Sequence, residues 1–511
     1  MTRDYDVIII GAGNGGLVSA CAFSQMGFRT LVVERNSTPG GCASSFVRGR
    51  FEFEAALHNL PYMGEGEARG DVGMLYDRFG VERKFFPITE SLHFIVDKGT
   101  RREFISGVGR DAFAEAVEKE CPGSEPSFRR FCSLCDELNA AVGYMSSCRG
   151  KPDQQVLQQQ FPNYLRMASS SVKQMFDALE MPQELQDILG VFAMYQCGDV
   201  NEIDAARYSL MTDSFIKYGA FQTDMRSFGL STALAESAVK FGCDFWYNSP
   251  VAEILTENGA VSGVRLEDGT EAHAKQVVCN IMPHTVYGKL LKSELVPPLE
   301  LKKANARTLG GRPFCVYLGL DATAEELGIK DYAVFINSST DNPTLVKNCA
   351  SRDTTDDFSA NCLNIPVPDA SPEGTCILYF TNMFSEDAFA DVTPDNYRKI
   401  KHDYAKRLIE RYESATGIEI SSHIEEIVIA TPVTFARYVG TPQGTVFGYY
   451  PGDWDGMMSR TMAEETEKTI PGLSFVGGHG TRLSGFAPSY MTGFLNAMKL
   501  GAMMRGGAPR G

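Results

Sequence analysis

The sequence predicts an α/β fold built around a dinucleotide-binding core, and three observations predict it. The apolar run Val7-Ile8-Ile9-Ile10 opens directly into the glycine turn Gly11-Ala12-Gly13-Asn14-Gly15-Gly16. An amphipathic stretch from Leu17 to Met26 and a second apolar run, Leu31-Val32-Val33, follow and end in the acid Glu34. Near the opposite end of the chain, Leu473-Ser474-Phe475-Val476 leads into Gly477-Gly478, with a helical stretch from about Ser489 to Met504 beyond it.

Each residue type in the first segment has a physical task. Gly11 permits the tight turn, Gly13 removes the Cβ that would hold backbone away from a pyrophosphate, and Gly16 lets the helix pack closely on its strand. The helix start presents its positive end to the phosphates, and Glu34 is placed to take the ribose hydroxyls. A second glycine pair follows the acid in Arg35-Asn36-Ser37-Thr38-Pro39-Gly40-Gly41-Cys42-Ala43-Ser44.

Further along, residues from about Val81 to Thr223 read as mainly helical, with apolar residues at helical spacing in Asp111 to Ala116, Phe128 to Val142 and Tyr164 to Phe192. A helix is expected over Leu230 to Val239. A hairpin is expected from Ala260–Leu266 and Glu271–Val278, turned by Asp268-Gly269. The strand ending Gln276-Val277-Val278-Cys279-Asn280 returns the chain to the core sheet. From about Ser293 to Asp453, strands such as Phe314 to Leu320 and Cys376 to Phe380 alternate with helices, among them a long charged one from Asn396 to Ser414. These readings divide the chain into a discontinuous cofactor domain, 1–80, 225–292 and 454–511, and a substrate domain, 81–224 and 293–453, whose first insertion is mainly helical. No internal repeat is visible.

Composition excludes several classes. A chain of 511 residues with 43% apolar content can bury a large core. Its 64 acidic against 48 basic residues, a formal charge of −16, argue against a nucleic-acid partner, which requires clustered Lys and Arg. No apolar run is long and clean enough to span a bilayer. The richest stretch, Val7 to Phe23, lacks the basic leader of a signal peptide, and thirteen cysteines without a spacing framework fit a reducing compartment, so a cytoplasmic location is expected. Cys132 and Cys135 share one face of a helical stretch with no second CxxC, which favours two buried thiols over a metal site; no metal is expected.

The glycine pair behind Glu34 and the segment from Pro471 to Gly493 resemble the pattern shared by amine oxidases, phytoene desaturases, carotenoid isomerases and retinol saturases. The resemblance implies a Rossmann-like FAD-binding domain of the glutathione reductase type with an inserted α+β substrate domain, and FAD as cofactor. It implies that Gly40, Gly41, Cys42, Ala43 and Ser44 meet the flavin phosphate and ribityl chain together with Arg35, and that backbone at Val251 holds the adenine. It also implies that Gly477, Gly478, Pro488, Ser489 and Tyr490 face the flavin ring, joining Gly11 to Gly16 and Glu34. The match is best to the phytoene desaturase, carotenoid isomerase and retinol saturase group. Gly478 stands where many relatives carry an acid, Glu54 and Ala56 replace an Asp and a Gly before His58, and Met225-Arg226 fall where a glycine pair is usual.

The implied chemistry is hydride transfer at flavin N5 on carbon–carbon bonds of a hydrophobic polyene, isoprenoid or unsaturated lipid, by desaturation, saturation or isomerisation. His58 and Arg482 are the leading catalytic candidates, with Arg437, Tyr438 and His479 also near the expected ring position. One glycine fingerprint leaves electrons to pass to oxygen, a quinone or a separate carrier. Peripheral membrane contact is expected through an apolar helix between Pro152 and Leu189. The alternatives are a flavin amine oxidase and a non-catalytic carrier of prenylated partners of the Rab escort and dissociation-inhibitor type.

Overall fold

Five apolar runs converge into one parallel sheet, described in a computed structural model that covers residues 3–55, 58–148, 152–167, 169–450, 452, 455, 460, 470–478 and 485–506. Across the sheet the strands are Asp244–Trp246, Thr30–Val33, Val7–Ile10, Gln276–Cys279 and Leu473–Phe475. Numbered by chain order this is 3-2-1-4-5, the doubly wound arrangement, and the direction of winding reverses between Val7–Ile10 and Gln276–Cys279. Val7–Ile10 and Thr30–Val33 are buried on both faces, which explains why they read as continuous apolar runs rather than alternating ones.

The helix after the glycine turn spans Asn14–Gln25 and is buried on nearly all sides, not amphipathic as its sequence suggested. Helices Arg226–Lys240 and Phe486–Met504 cover its remaining faces. The latter begins three residues earlier than expected. The hairpin expected from Ala260 to Val278 is divided: Glu271–His273 pairs with Ala260–Leu266 in a small four-stranded sheet, and Gln276–Cys279 pairs with Val7–Ile10. Two residues between them let the chain leave one sheet and enter the other.

A seven-stranded mixed sheet forms the second layer, in the order Ile424–Ala430, Arg312–Leu320, Cys376–Phe384, Phe358–Cys362, Ala333–Asn337, Glu90–Val96 and Arg102–Gly107. Its last two strands correct the reading of 81–224 as mainly helical from its start. Glu90–Val96 pairs in parallel with Ala333–Asn337, a partner more than 200 residues distant. Along Arg312–Leu320 the side chains of Phe314, Val316 and Leu318 enter the core beneath the long helix Pro394–Thr416, while Cys315 and Tyr317 enter the core shared with the helices of residues 110–218.

Those helices turn much of the apolar surface expected over 152–189 inward: Leu157, Tyr164, Met167, Val172, Met175, Phe176, Leu185 and Ile188 pack in the core, while Leu165 stays exposed. Among the described residues no helix is long and apolar enough to cross a membrane.

Candidate cofactor and active site

The glycine turn lies at the carboxyl end of the sheet where the winding reverses, the position at which doubly wound sheets open a crevice for ligands. Three distant parts of the chain meet there. A Cβ on Gly13 would stand 2.6 Å from Asn280 Nδ2, and one on Gly15 would stand 2.7 Å from Asn280 Oδ1 and 2.7 Å from the backbone nitrogen of Gly477. Gly477 in turn donates its N–H to Thr492 Oγ1 (2.9 Å) on the C-terminal helix. Asn280 had been read only as the end of a strand. Its place at the reversal point, beside the glycine turn, was the signal for it.

The second glycine pair folds back onto the first. Gly40 N–H donates to Ala12 O (2.8 Å), and Gly13 bridges Gly40. Ala43 O accepts from Ser231 Oγ (3.0 Å) and Ser44 O from Ser227 Oγ (3.2 Å), which fixes this loop to the helix Arg226–Lys240. Cys42, just before them, is half-buried, and burial pushes its thiol up to about 11, so it is uncharged.

Glu34 is buried, and its two carboxylate oxygens accept from Ala12 N–H (2.7 Å) and Asn36 N–H (2.9 Å). Each oxygen keeps a further acceptor position, which fits the hydroxyl pair of a ribose. Its own N–H donates to Trp246 O and its carbonyl accepts from Ser249 N–H (2.8 Å), bringing the approach to Val251 alongside. Val251 opens the strand Val251–Glu257. At the helix start no side chain caps Gly13, and the N–H groups of the first turn, with Asn14, Gly15 and Gly16, suit a pyrophosphate. The residues present thus fit FAD.

Two expected contacts are redirected. The Arg35 guanidinium donates to the carbonyls of Arg437 (3.2 Å) and Tyr438 (2.6 Å) at the end of the helix Pro432–Val439, which leaves its backbone for the cofactor. Arg437 and Tyr438 are themselves exposed, which removes them as proton carriers in the interior. Tyr490 is fully buried and its hydroxyl accepts from Tyr76 (3.0 Å), so it belongs to the core behind the site. Pro488 and Ser489 lie in the first turn of the same helix, with Ser489 Oγ donating to Gly485 O (2.7 Å), and Gly478 ends the preceding turn. His479 and Arg482 lie outside the described residues.

His58 is held against the seven-stranded sheet. Its Nδ1 lies 3.4 Å from Asn361 Oδ1 and its Nε2 3.4 Å from Thr381 Oγ1, with its ring edge-on to Tyr379 at 5.2 Å. Its carbonyl accepts from Tyr332 and from Gln222 Nε2 (2.5 Å), and Tyr332 bonds Tyr379 (2.8 Å). Burial pushes its pKa down to about 4, so the ring is neutral at physiological pH rather than a near-neutral buffer. The hydroxyls of Tyr317, Tyr332 and Tyr379 are held far above the usual tyrosine range by burial.

Glu54, buried at the end of the strand Phe51–Glu54, accepts from Ser227 N–H (2.7 Å) and Oγ (2.6 Å). The neighbouring Arg226 has φ +53°, the left-handed conformation a glycine adopts without cost, at the place where a glycine pair was missing from the sequence pattern. Its side chain donates to Ala370 O and lies 3.6 Å from Glu52. The backbone shape survives while the residue serves a contact between layers. Cys132 and Cys135 are buried on the helix Glu125–Ser147, and burial raises both thiols. Among the described residues no group of His, Cys, Asp or Glu is placed to hold a metal.

The sequence profile of flavin containing amine oxidoreductases matches residues 15–482. All-trans-retinol 13,14-reductase of Danio rerio is 24% identical over 478 residues, covering 87% of this chain and 78% of the relative. Prolycopene isomerase of the Daucus carota chloroplast is 23% identical over 470 residues, covering 87% of this chain and 72% of the relative. The crystal structure of a triple mutant of putrescine oxidase superposes with a TM-score of 0.67 at 14% identity, covering 98% of this chain and 100% of that one, a likeness of fold alone.

Proposed function

The chain belongs to the flavin containing amine oxidoreductase family and is an FAD-dependent oxidoreductase, and from that premise we propose that it acts on carbon–carbon bonds of a hydrophobic polyene, isoprenoid or unsaturated lipid. The observation that carries the choice of substrate is the uncharged wall around His58. Tyr379, Thr381 and Asn361 surround a ring that burial keeps neutral, and the carboxylate of Glu54 is engaged by Ser227. Such a wall solvates an apolar chain without leaving a charge unpaired. The names of the two relatives, a retinol reductase and a prolycopene isomerase, support the same class.

Bound FAD supplies a site that takes or gives a hydride. The protein's residues hold it and arrange the proton that accompanies the hydride. Gly11 to Gly16 receive the pyrophosphate, Glu34 the ribose, Gly40 to Ser44 the central phosphate and ribityl chain, Val251 the adenine side, and Gly477 with Gly478 the ring. His58, a neutral imidazole, is placed to accept the proton released at the carbon next to the one exchanging hydride, and Arg482 balances negative charge nearby. The reading includes the division into a cofactor domain, 1–80, 225–292 and 454–511, and a substrate domain, 81–224 and 293–453. Electrons are exchanged with oxygen, a quinone or a separate carrier, in the cytoplasm, where the enzyme meets lipid substrates at membrane surfaces.

The test is anaerobic mixing of the FAD-loaded protein with a lipid extract, following the flavin band near roughly 450 nm and identifying altered lipids by mass spectrometry. Bleaching by a polyene fraction, or conversion of that fraction by pre-reduced enzyme, is expected. Bleaching by putrescine and other amines with none by lipids overturns the substrate class in favour of amine oxidation, and a protein that binds no FAD overturns the whole reading.

A further inference from the structure

We propose that Glu103, Asp331, His93 and Glu90 form a proton route from the protein surface to the His58 loop, with Glu90 as the buried carrier and Tyr195 at its inner end. The inference rests on the reading above only in that the reaction consumes or releases a proton. Nothing in it depends on whether the substrate is a polyene or an amine.

The route begins in water. Glu103 and Asp331 have side chains 47% and 31% exposed, and their carboxylates each lie 3.3 Å from a different nitrogen of His93, Nε2 and Nδ1. His93 itself is buried on the strand Glu90–Val96. Pairing of that strand with Arg102–Gly107 slips by one residue between Glu90 and Leu92, and with the slip Glu90 and His93 line one internal cavity of about 10 Å³. That volume is at the lower bound for one water, and Glu90, Ser91, His93 and Asn59 supply the polar partners it needs.

The inner end lies against the active-site loop. Asn59 follows His58 and donates from Nδ2 to the hydroxyl of Tyr195 (2.9 Å). The Tyr195 oxygen is thereby an acceptor from Asn59, which leaves its own proton free to be donated. Glu90 accepts from Ala333 N–H (2.8 Å) and from Thr89 (3.1 Å), and among the described residues no basic side chain forms an ion pair with it. Among the described residues, Tyr195 is the one other titratable group that lines this cavity. The neighbouring strand carries Glu103, which also binds Arg101 (2.9 Å); the segment before Ala333–Asn337 carries Asp331; and the helix Ala205–Tyr218 contributes Phe215, its Asp213 being turned to Arg110 (2.8 Å).

The electrostatics agree with this geometry. Burial, with the charge of Asp331 adding to it, raises Glu90 above an ordinary carboxyl, so it can hold a proton as well as release one. For His93, burial, which disfavours the charged ring, is outweighed by its two carboxylate neighbours, and its pKa is raised. In each step one N–H or O–H bond breaks as the next forms. The imidazolium breaks the N–H bond of Nδ1, the buried nitrogen that makes no hydrogen bond, as an O–H bond forms on a water in the cavity, which in turn gives a proton to the Glu90 carboxylate. The O–H of the neutral acid breaks as one forms on the Tyr195 oxygen, whose own hydroxyl proton leaves to the group that the reaction has made basic beside the His58 loop, and His93 is reloaded from bulk through Glu103 or Asp331. No electron moves, and every group returns to its starting state.

The experiment uses FAD-loaded protein, reduced anaerobically by light, with proton uptake followed by a pH-indicator dye and with infrared difference spectra recorded in parallel. Glu90→Gln keeps the acceptor for Ala333 and the side-chain volume, and is expected to slow proton uptake by about tenfold or more and to remove a carbonyl stretch of a protonated carboxyl. His93→Ala is expected to slow uptake similarly and to be restored by free imidazole, which a merely structural histidine does not show. Asp357→Asn, a buried carboxylate that does not line this cavity, serves as the control and is expected to take up protons at the wild-type rate. Uptake at the wild-type rate in folded Glu90→Gln or His93→Ala overturns the proposal, as does slowing in His93→Ala that imidazole leaves unchanged. Should Glu90→Gln fail to fold, the imidazole response decides alone.

Discussion

Replacing Gly15 by alanine tests whether front, middle and tail of the chain share one cofactor groove. The added methyl would sit 2.7 Å from Asn280 Oδ1, 2.7 Å from Gly477 N and 2.9 Å from Gly477 Cα. Ordinary carbon to oxygen contacts begin at about 3.3 Å, so the tail must retreat by roughly 0.6 Å, and two of the three obstructing atoms are backbone. Overpacking of this kind costs about 1–3 kcal/mol, and the upper end applies because Gly477 is tethered to Thr492. Alanine returns about 1 kcal/mol through helix propensity, leaving a net loss of about 2 kcal/mol. If the loss falls on the joint groove, FAD affinity drops by roughly 30-fold at 1.4 kcal/mol per tenfold. The assay is FAD titration of the apoprotein by flavin fluorescence, with thermal melting alongside. Gly143→Ala is the matched control: it is also a helical glycine, nothing lies within 4 Å of its Cβ position, and the same methyl should stabilise by about 1 kcal/mol without altering FAD affinity. Wild-type FAD affinity in Gly15→Ala would falsify the shared groove.

Three further outcomes are expected. Glu34→Ala removes the acceptor from the N–H groups of Ala12 and Asn36 and should weaken FAD binding by more than tenfold, with Glu34→Gln intermediate; equal binding in all three proteins excludes Glu34 from the ribose site. His58 has a folded pKa of about 4 against 6.5 in the unfolded chain, so below pH 6.5 the unfolded state takes up a proton that the folded state refuses. Stability from this residue is therefore intact above pH 6.5 and lost as pH falls toward 4, by up to about 3 kcal/mol; denaturation midpoints of His58→Gln should lack that slope, and an unchanged slope rejects the assignment. At Arg226, Gly and Ala variants both lose the contacts to Ala370 and Glu52, but only Gly fits φ +53° freely, so Arg226→Gly should be more stable than Arg226→Ala by about 1 kcal/mol in urea denaturation.

Much of the cofactor half was legible because its signals are local. A strand running into a glycine turn, then a helix, a strand and an acid, lie within the first 34 residues, where the steric demands of close backbone approach select residue types directly. The central strands showed themselves by burial on both faces. By contrast, Glu90–Val96 was read as part of a helical region, since the partner that makes it a strand, Ala333–Asn337, lies far along the chain. The helix Asn14–Gln25 carries small and polar residues that suggest an amphipathic element, yet packing on several sides buries it.

The sequence by itself determined that a glycine turn of dinucleotide type follows the first strand, that a buried acid closes the second strand beside it, and that the core suits a large α/β protein, because those follow from backbone sterics and apolar runs within a few residues. Only the tertiary structure decided that Asn280 and Gly477 close on Gly15, that Tyr490 turns into the core, and that His58 is neutral. Those properties depend on how closely distant segments approach and how much water they exclude, and neither quantity is written in the spacing of residues along the chain.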